Sequence, residues 1–150
     1  KNWGAFARSL DLKIYCPVII RDADAAFHSL PPDLKGILIF PEGVWNIQLR
    51  AALYELSYLN MFVPNGPSVI CYHSQKMPFI SFFKKDTCGA ASHEYWQSQG
   101  VEPGSKFKWM NSFQTMVWEN DDYDVLVREF EKMCELIEKS LGKKTYEKMF

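Results

Sequence analysis

The sequence lacks several features that identify whole classes of protein. No apolar run approaches the roughly 18 residues of a membrane-spanning helix, and no glycine-rich phosphate-binding motif occurs. Neither sign of charge is in excess, because 17 Lys and Arg oppose 18 Asp and Glu for a formal net charge of −1. This balance argues against a broad electrostatic surface for duplex nucleic acid or anionic membrane. We therefore expect no membrane partner and no cofactor.

Cysteines are few and scattered. Cys16, Cys71, Cys88 and Cys134 do not form the dense framework of a small secreted domain. No Asn-x-Ser/Thr sequon occurs, and Lys1 opens the chain without a signal-peptide pattern. These features predict free thiols in an intracellular protein of the nucleus or cytoplasm. They also suggest that residues 1–150 are one globular domain excised from a longer chain.

The first half of the chain predicts a β-α-β-α-β order. Residues 10–20 alternate between apolar and polar, and residues 36–40 form a continuous apolar run bounded by Gly and Pro. Helical spacing of Leu49, Leu53, Leu56 and Leu59 predicts a helix over about residues 45–60. Residues 68–73 then read as the next buried strand. Such alternation favours a parallel sheet.

The second half is less regular until its last segment. An aromatic stretch lies at residues 79–83, a loop is expected at 88–93, and residues 107–118 alternate like a strand or hairpin arm. Acidic residues before an apolar stripe predict a long amphipathic helix over residues 121–141, with Gly142 as its stop.

The fold class predicted from these elements is α/β. We expect a central, mostly parallel or mixed sheet of four to five strands flanked by helices, with a long amphipathic C-terminal helix. The alternative is an α+β fold with a curled mixed sheet, if the strands at 10–20 and 107–118 pair antiparallel.

Two cysteine and histidine pairs could carry chemistry. Cys71 with His73 and Cys88 with His93 would supply the ligand set of a tetrahedral zinc site. The spacing departs from the usual zinc motifs, so this is a weak alternative to having no metal. Cys88 with His93 could also form a nucleophile and base, although nothing flanking either residue matches a nucleophile motif.

One acidic residue lies where open parallel sheets bind ligands. Glu42 follows the strand at 36–40, and ligand crevices form beyond the carboxyl ends of parallel strands. An enzyme for a small ligand would use this position. The plainer reading is a carboxylate that stabilises the start of the next helix.

Aromatic residues make up 15% of the chain, with five Trp and eleven Phe. Such residues are enriched at the hot spots of protein interfaces. The polar surroundings of Trp96 predict an exposed anchor there, and Phe82, Phe83 and Trp109 complete the predicted partner-binding set. With no catalytic motif present, we expect a non-catalytic protein–protein interaction module, a scaffold within a larger intracellular multidomain protein.

A third class of function remains open. Lys84, Lys85, Lys106 and Lys108 lie beside aromatic residues, a mixture that suits the phosphates and bases of single-stranded nucleic acid. No known RNA-binding motif is present, so nucleic acid ranks below a protein partner and below the small-ligand enzyme built around Glu42 or Cys88 and His93.

Overall fold

The computed structural model describes residues 2–85 and 87–147, with side chains up to residue 142. The chain divides into two compact units, Lys1–Tyr58 and Leu59–Phe150. Mixed α and β structure, parallel strand pairing and a long C-terminal helix are all present, as expected. The prediction of one globular domain stays a prediction.

The first unit combines short helices with two paired strands. Its elements are α1 (Asn2–Ser9), β1 (Val18–Ile19), α2 (Ala23–Ala26), a 3-10 turn (Pro32–Leu34), β2 (Leu38–Ile39), α3 (Glu42–Trp45) and α4 (Ile47–Leu56). The two strands pair in parallel, with Val18 opposite Leu38.

The strand predicted over residues 10–20 is reduced to β1. Residues 11–15, which precede β1, form a turn. The Asp11 carboxylate accepts from the Lys13 N–H at 2.9 Å, and the Asp11 carbonyl accepts from the N–H groups of Ile14 and Tyr15. Pro17 has no N–H to donate to a ladder. Pairing therefore begins only at Val18.

Helix α4 is defined by its caps. The Asn46 side chain accepts from the N–H groups of Gln48 and Leu49, both at 3.0 Å, which satisfies two donors of the first turn. The helix ends at Leu56, where Ser57 becomes extended. It is shorter than the helix predicted over residues 45–60, and residues 60–62 belong to a strand instead.

The second unit contains a three-stranded parallel sheet. Its elements are β3 (Asn60–Phe62), a 3-10 turn (Gly66–Ser68), α5 (Val69–Tyr72), β4 (Phe79–Phe82), a 3-10 turn (Gly89–Ala91), α6 (His93–Ser98), β5 (Gln114–Val117) and α7 (Tyr123–Glu147). The strand order is β3-β4-β5.

Strand β4 lies at the centre of this sheet, and all four of its residues are fully buried. Tyr72 of α5 covers one face, since its hydroxyl lies 2.7 Å from the Ser81 hydroxyl and its ring packs on Phe79. On the other face of the sheet, Ile80 and Met133 of α7 line the same pocket. A strand covered on both faces reads as a continuous apolar run, which residues 79–83 are.

Three expectations about strands are corrected. The strands form sheets of two and three rather than one sheet of four to five, and the described pairs are all parallel, which contradicts a curled antiparallel arrangement. The strand predicted over residues 68–73 is helical. Asn65 and Ser68 cap each other reciprocally there, and this capping box starts a helix that a short apolar run alone does not distinguish from a strand.

Helix α7 confirms the predicted C-terminal helix. Leu126, Met133 and Ile137 of the predicted stripe are buried. The helix continues through Gly142 to Glu147, so the expected stop at this glycine is wrong.

Candidate interaction surfaces

Two of the four predicted partner-binding residues have no surface to offer. Phe82 and Phe83 are both fully buried, Phe82 in the central strand and Phe83 directly after it. Their assignment as partner contacts is corrected for this reason. Composition alone does not separate a buried aromatic side chain from an exposed one.

Trp96 is half-buried rather than an exposed anchor. Its indole Nε1–H donates to the Ala90 carbonyl at 2.6 Å, and its ring packs edge-on against Tyr72 and Phe107 at 6.1 and 5.7 Å between centroids. These contacts tie α6 to the aromatic cluster above the sheet. The main role visible for Trp96 is therefore structural.

Trp109 is the predicted residue that the structure leaves accessible. Its side chain is 47% exposed, and its ring stacks on Phe107, with centroids 4.7 Å apart and planes 3° apart. His73 stacks on the same indole at 6.0 Å and 12°. The indole Nε1–H donates to the Tyr72 carbonyl at 2.9 Å. An exposed ring is thus held in one orientation.

The loop that carries Trp109 is anchored to the sheet. The Gln75 side-chain amide donates to the Trp109 carbonyl at 3.2 Å, and the Asn111 amide donates to the Gln75 carbonyl at 3.0 Å. Gln114, which is 1% exposed, accepts from the Asn111 N–H and donates to the Ser74 carbonyl. The start of β5 therefore fixes the loop.

The two segments that carry His73 and Trp109 hold charges of one sign. Lys76, Lys106 and Lys108 are exposed, and none of them forms an ion pair with a described residue. Segments 72–83 and 103–118 contain no Asp or Glu. We call His73, Lys76, Lys106, Phe107, Lys108 and Trp109 the basic aromatic patch.

The other lysines of the predicted nucleic-acid set lie at the opposite end of the strands. Lys84 follows β4 and pairs with Asp121, with the ammonium 2.7 Å from the carboxylate. The Lys85 N–H donates to the Asn120 side chain. Both lysines are therefore at the carboxyl end of the sheet, while Gln75 and Asn111 precede β4 and β5.

Helix α4 in the first unit has its apolar side facing outward. Leu56 is 84% exposed and Leu49 is 44% exposed, whereas Arg50 and Tyr54 are 7% and 8% exposed. The helical spacing of Leu49 and Leu56 predicted a helix, but it did not show that these side chains face outward. An amphipathic helix normally buries its leucines and exposes its arginines.

Arg50 is buried with hydrogen bonds, and no carboxylate of the described residues forms an ion pair with it. Its Nε–H donates to the Tyr54 hydroxyl at 2.6 Å, and one Nη reaches the Gly43 carbonyl at 3.5 Å. The guanidinium carbon lies 5.6 Å from the centroid of the Tyr54 ring, within cation–π range. These contacts turn the Arg50 face of α4 inward and leave Leu49 and Leu56 exposed.

Further apolar side chains are exposed near α4 in the chain. Phe27 and Trp45 contact each other, with centroids 5.0 Å apart, although they are 78% and 59% exposed. We call the set Phe27, Trp45, Ile47, Leu49 and Leu56 the exposed apolar surface. The sequence analysis did not predict this surface. The available signal was the spacing of Arg50 and Tyr54, which are four residues apart on α4 and can therefore bond to each other on one side of the helix.

The predicted metal ligands are not brought together. Cys71 is fully buried, Cys88 is exposed, and His73 stacks on Trp109. Within residues 2–85 and 87–147, no cluster of three or more His, Cys, Asp and Glu could hold a metal ion. The weak zinc alternative therefore has no support from the placement of these residues.

The predicted catalytic candidates do not form a nucleophile and base pair. The His93 Nε2–H donates to the Phe83 carbonyl at 2.8 Å, and in the described part of the chain no hydrogen bond joins this imidazole to Cys88. Glu42 is exposed and is the first residue of α3, the position expected for a carboxylate that stabilises a helix start.

A shallow pocket between α7 and the sheet contains none of these candidates. Its lining residues are Ile80, Thr115, Glu129, Lys132, Met133 and Leu136. The small-ligand enzyme hypothesis required a concave site around Glu42 or around Cys88 and His93. This pocket does not supply one.

Of the helices in the described ranges, none combines the length and the apolar character needed to cross a membrane. Comparison of the chain with protein-family models, with curated proteins and with solved structures found no match.

Proposed function

We propose that this chain is a non-catalytic protein–protein interaction module of a larger intracellular protein, and that it binds its partner through the exposed apolar surface. The orientation of α4 is the observation that carries the proposal. This helix buries Arg50 and exposes Leu49 and Leu56, an arrangement that leaves apolar area for a second molecule to cover.

Burial supports the proposal across the whole first unit. Its buried apolar side chains are Phe6, Ala7 and Tyr54, while the exposed apolar surface alone holds five large apolar groups. Fully burying one leucine contributes about 1.5–3 kcal/mol. Trp45 and Phe27 are the aromatic type that most often anchors such interfaces.

The chemistry of the partner follows from the surface. All five side chains are uncharged, and Leu49 and Leu56 are seven residues apart, two turns along one side of α4. This spacing suits an apolar groove that receives a helix face. We therefore commit to a protein partner with a complementary apolar groove, bound with little dependence on salt.

The test compares two pairs of substitutions in the full-length protein. Proximity labelling in cells would be quantified for wild type, for Leu49→Lys with Leu56→Lys, and for Leu136→Lys with Leu141→Lys on α7 as the matched control. Leu136 and Leu141 are 39% and 55% exposed. Circular dichroism would verify that each variant folds.

The expected result is a defined partner that the α4 variant loses and the α7 control keeps. Removing two leucine contacts of about 1.5 kcal/mol each corresponds to roughly a 100-fold loss of affinity. The purified pair should retain its affinity between low and high salt. Equal labelling by the two variants would contradict the proposal.

A further inference from the structure

We propose that the basic aromatic patch is a binding site for single-stranded nucleic acid, with Trp109 as the base-stacking platform and Lys76, Lys106 and Lys108 as phosphate contacts. The site belongs to the second unit and shares no residue with the exposed apolar surface. It therefore stands independently of the proposed function.

The orientation of Trp109 is set before any ligand binds. Phe107 and His73 hold the ring by stacking, and the Nε1–H is directed inward to the Tyr72 carbonyl. Trp109 is still 47% exposed with both contacts in place, and its Nε1–H is already bonded to the protein. A fixed aromatic ring binds a base without a further ordering cost.

The loop beneath the platform is equally well tied. Gln75, Asn111 and the buried Gln114 form a chain of side-chain to backbone hydrogen bonds from the Trp109 carbonyl into β5. Lys106 adds a bond from its ammonium to the Asn111 carbonyl at 3.2 Å. These bonds constrain the Lys106 ammonium relative to the loop that carries the ring.

The sign of the charge selects an anionic ligand. The three lysines of the patch are exposed and have no ion-pair partner among the described residues, and no carboxylate occurs in segments 72–83 and 103–118. Lysine is depleted at protein interfaces, so a protein partner fits this patch less well than a phosphate backbone does.

A single strand is favoured over a duplex by the same geometry. Bases in a duplex are stacked on one another and offer no free face, whereas unpaired bases stack on exposed aromatic rings. A net charge of −1 also leaves no extended basic surface for a duplex backbone. One ring with three nearby cations suits a short stretch of single strand.

The experiment measures fluorescence anisotropy of labelled oligo(dT), oligo(U) and a DNA duplex titrated with the full chain at several salt concentrations. The variants are Trp109→Ala, Trp109→Phe and Lys108→Glu. Lys85→Glu is the matched control, because it makes the same charge change at an exposed lysine at the other end of the sheet.

We expect single strands to bind more tightly than the duplex, with a log–log salt slope of about −2 from three phosphate contacts. Trp109→Ala should weaken binding by roughly 5- to 150-fold, while Trp109→Phe, which keeps an aromatic ring, should restore most of it. Lys108→Glu should reduce affinity and lower the salt slope by about one, whereas Lys85→Glu should leave both unchanged.

Several outcomes would overturn the proposal. These are absence of single-strand binding up to about 100 μM protein, equal losses from Lys108→Glu and Lys85→Glu, and equal affinity for the duplex. A protein recovered on the patch in place of an oligonucleotide would also count against it. The Trp109→Phe variant keeps the test valid if Trp109→Ala does not fold.

Discussion

The orientation of helix α4 predicts that truncating an arginine costs more stability than truncating a leucine, the opposite of the usual order. Truncating the charged residue Arg50 to Ala should destabilise the protein, while truncating the apolar residue Leu56 to Ala should not. The periodicity of the leucines alone predicts the opposite. The comparison therefore tests the orientation on which the exposed apolar surface depends.

The magnitudes follow from burial. Leu56 is 84% exposed, so only about one-sixth of its roughly 2–3 kcal/mol of burial is present, and Leu56→Ala should cost less than about 0.5 kcal/mol. Arg50→Ala removes a buried aliphatic stem and leaves a cavity beside Tyr54 and Gly43. Large-to-small changes at buried sites cost about 2–5 kcal/mol.

The assay is urea unfolding followed by circular dichroism, with Leu53→Ala as a reference, since Leu53 is half-buried on the same helix. We expect the loss in free energy of unfolding to be smallest for Leu56→Ala, larger for Leu53→Ala and largest for Arg50→Ala. A loss of 2 kcal/mol or more for Leu56→Ala, with little change for Arg50→Ala, would refute the inferred orientation of α4.

Two further predictions concern the second unit. Burial raises the pKa of Tyr72 to about 12 from its ordinary value near 10. The folded protein therefore holds the Tyr72 proton more tightly than the unfolded chain does. The stabilisation from this shift is complete below about pH 10 and is lost as the pH rises to about 12. The free energy of unfolding of the wild type should fall by about 2–3 kcal/mol over this range, and that of Tyr72→Phe should not. Gln114→Leu should cost about 2–4 kcal/mol in thermal or urea unfolding, because it leaves the carbonyls of Ser74 and Met77 without this buried donor; a change under about 0.5 kcal/mol would contradict that account.

The two proposed surfaces respond differently to salt. The exposed apolar surface is uncharged, so its association should persist at high ionic strength. The basic aromatic patch acts through lysines, and its affinity should fall steeply with salt. A salt series on the same protein therefore separates failure of one proposal from failure of the other.

Local sequence was sufficient where one segment contained its own signals. Helix α7 follows from acidic residues at its start and an apolar stripe through Leu126, Met133 and Ile137, all of which are buried as expected. Phe82, Phe83 and Trp109 were not separable in this way. All three are aromatic residues beside lysines, yet two are buried and one is exposed, because only strand order decides which segment lies at the centre of the sheet.

Helices, parallel strands and the position of the longest helix were predictable from local patterns in the chain, since caps and periodicity act over a few residues. Tertiary structure alone decided the direction in which α4 faces and the stacking of Trp109 on Phe107 and His73. The direction of α4 depends on which of its side chains the rest of the first unit covers. The stacking of Trp109 depends on His73, which is distant in the chain. The physical reason is that the burial of a side chain is a property of what packs against it.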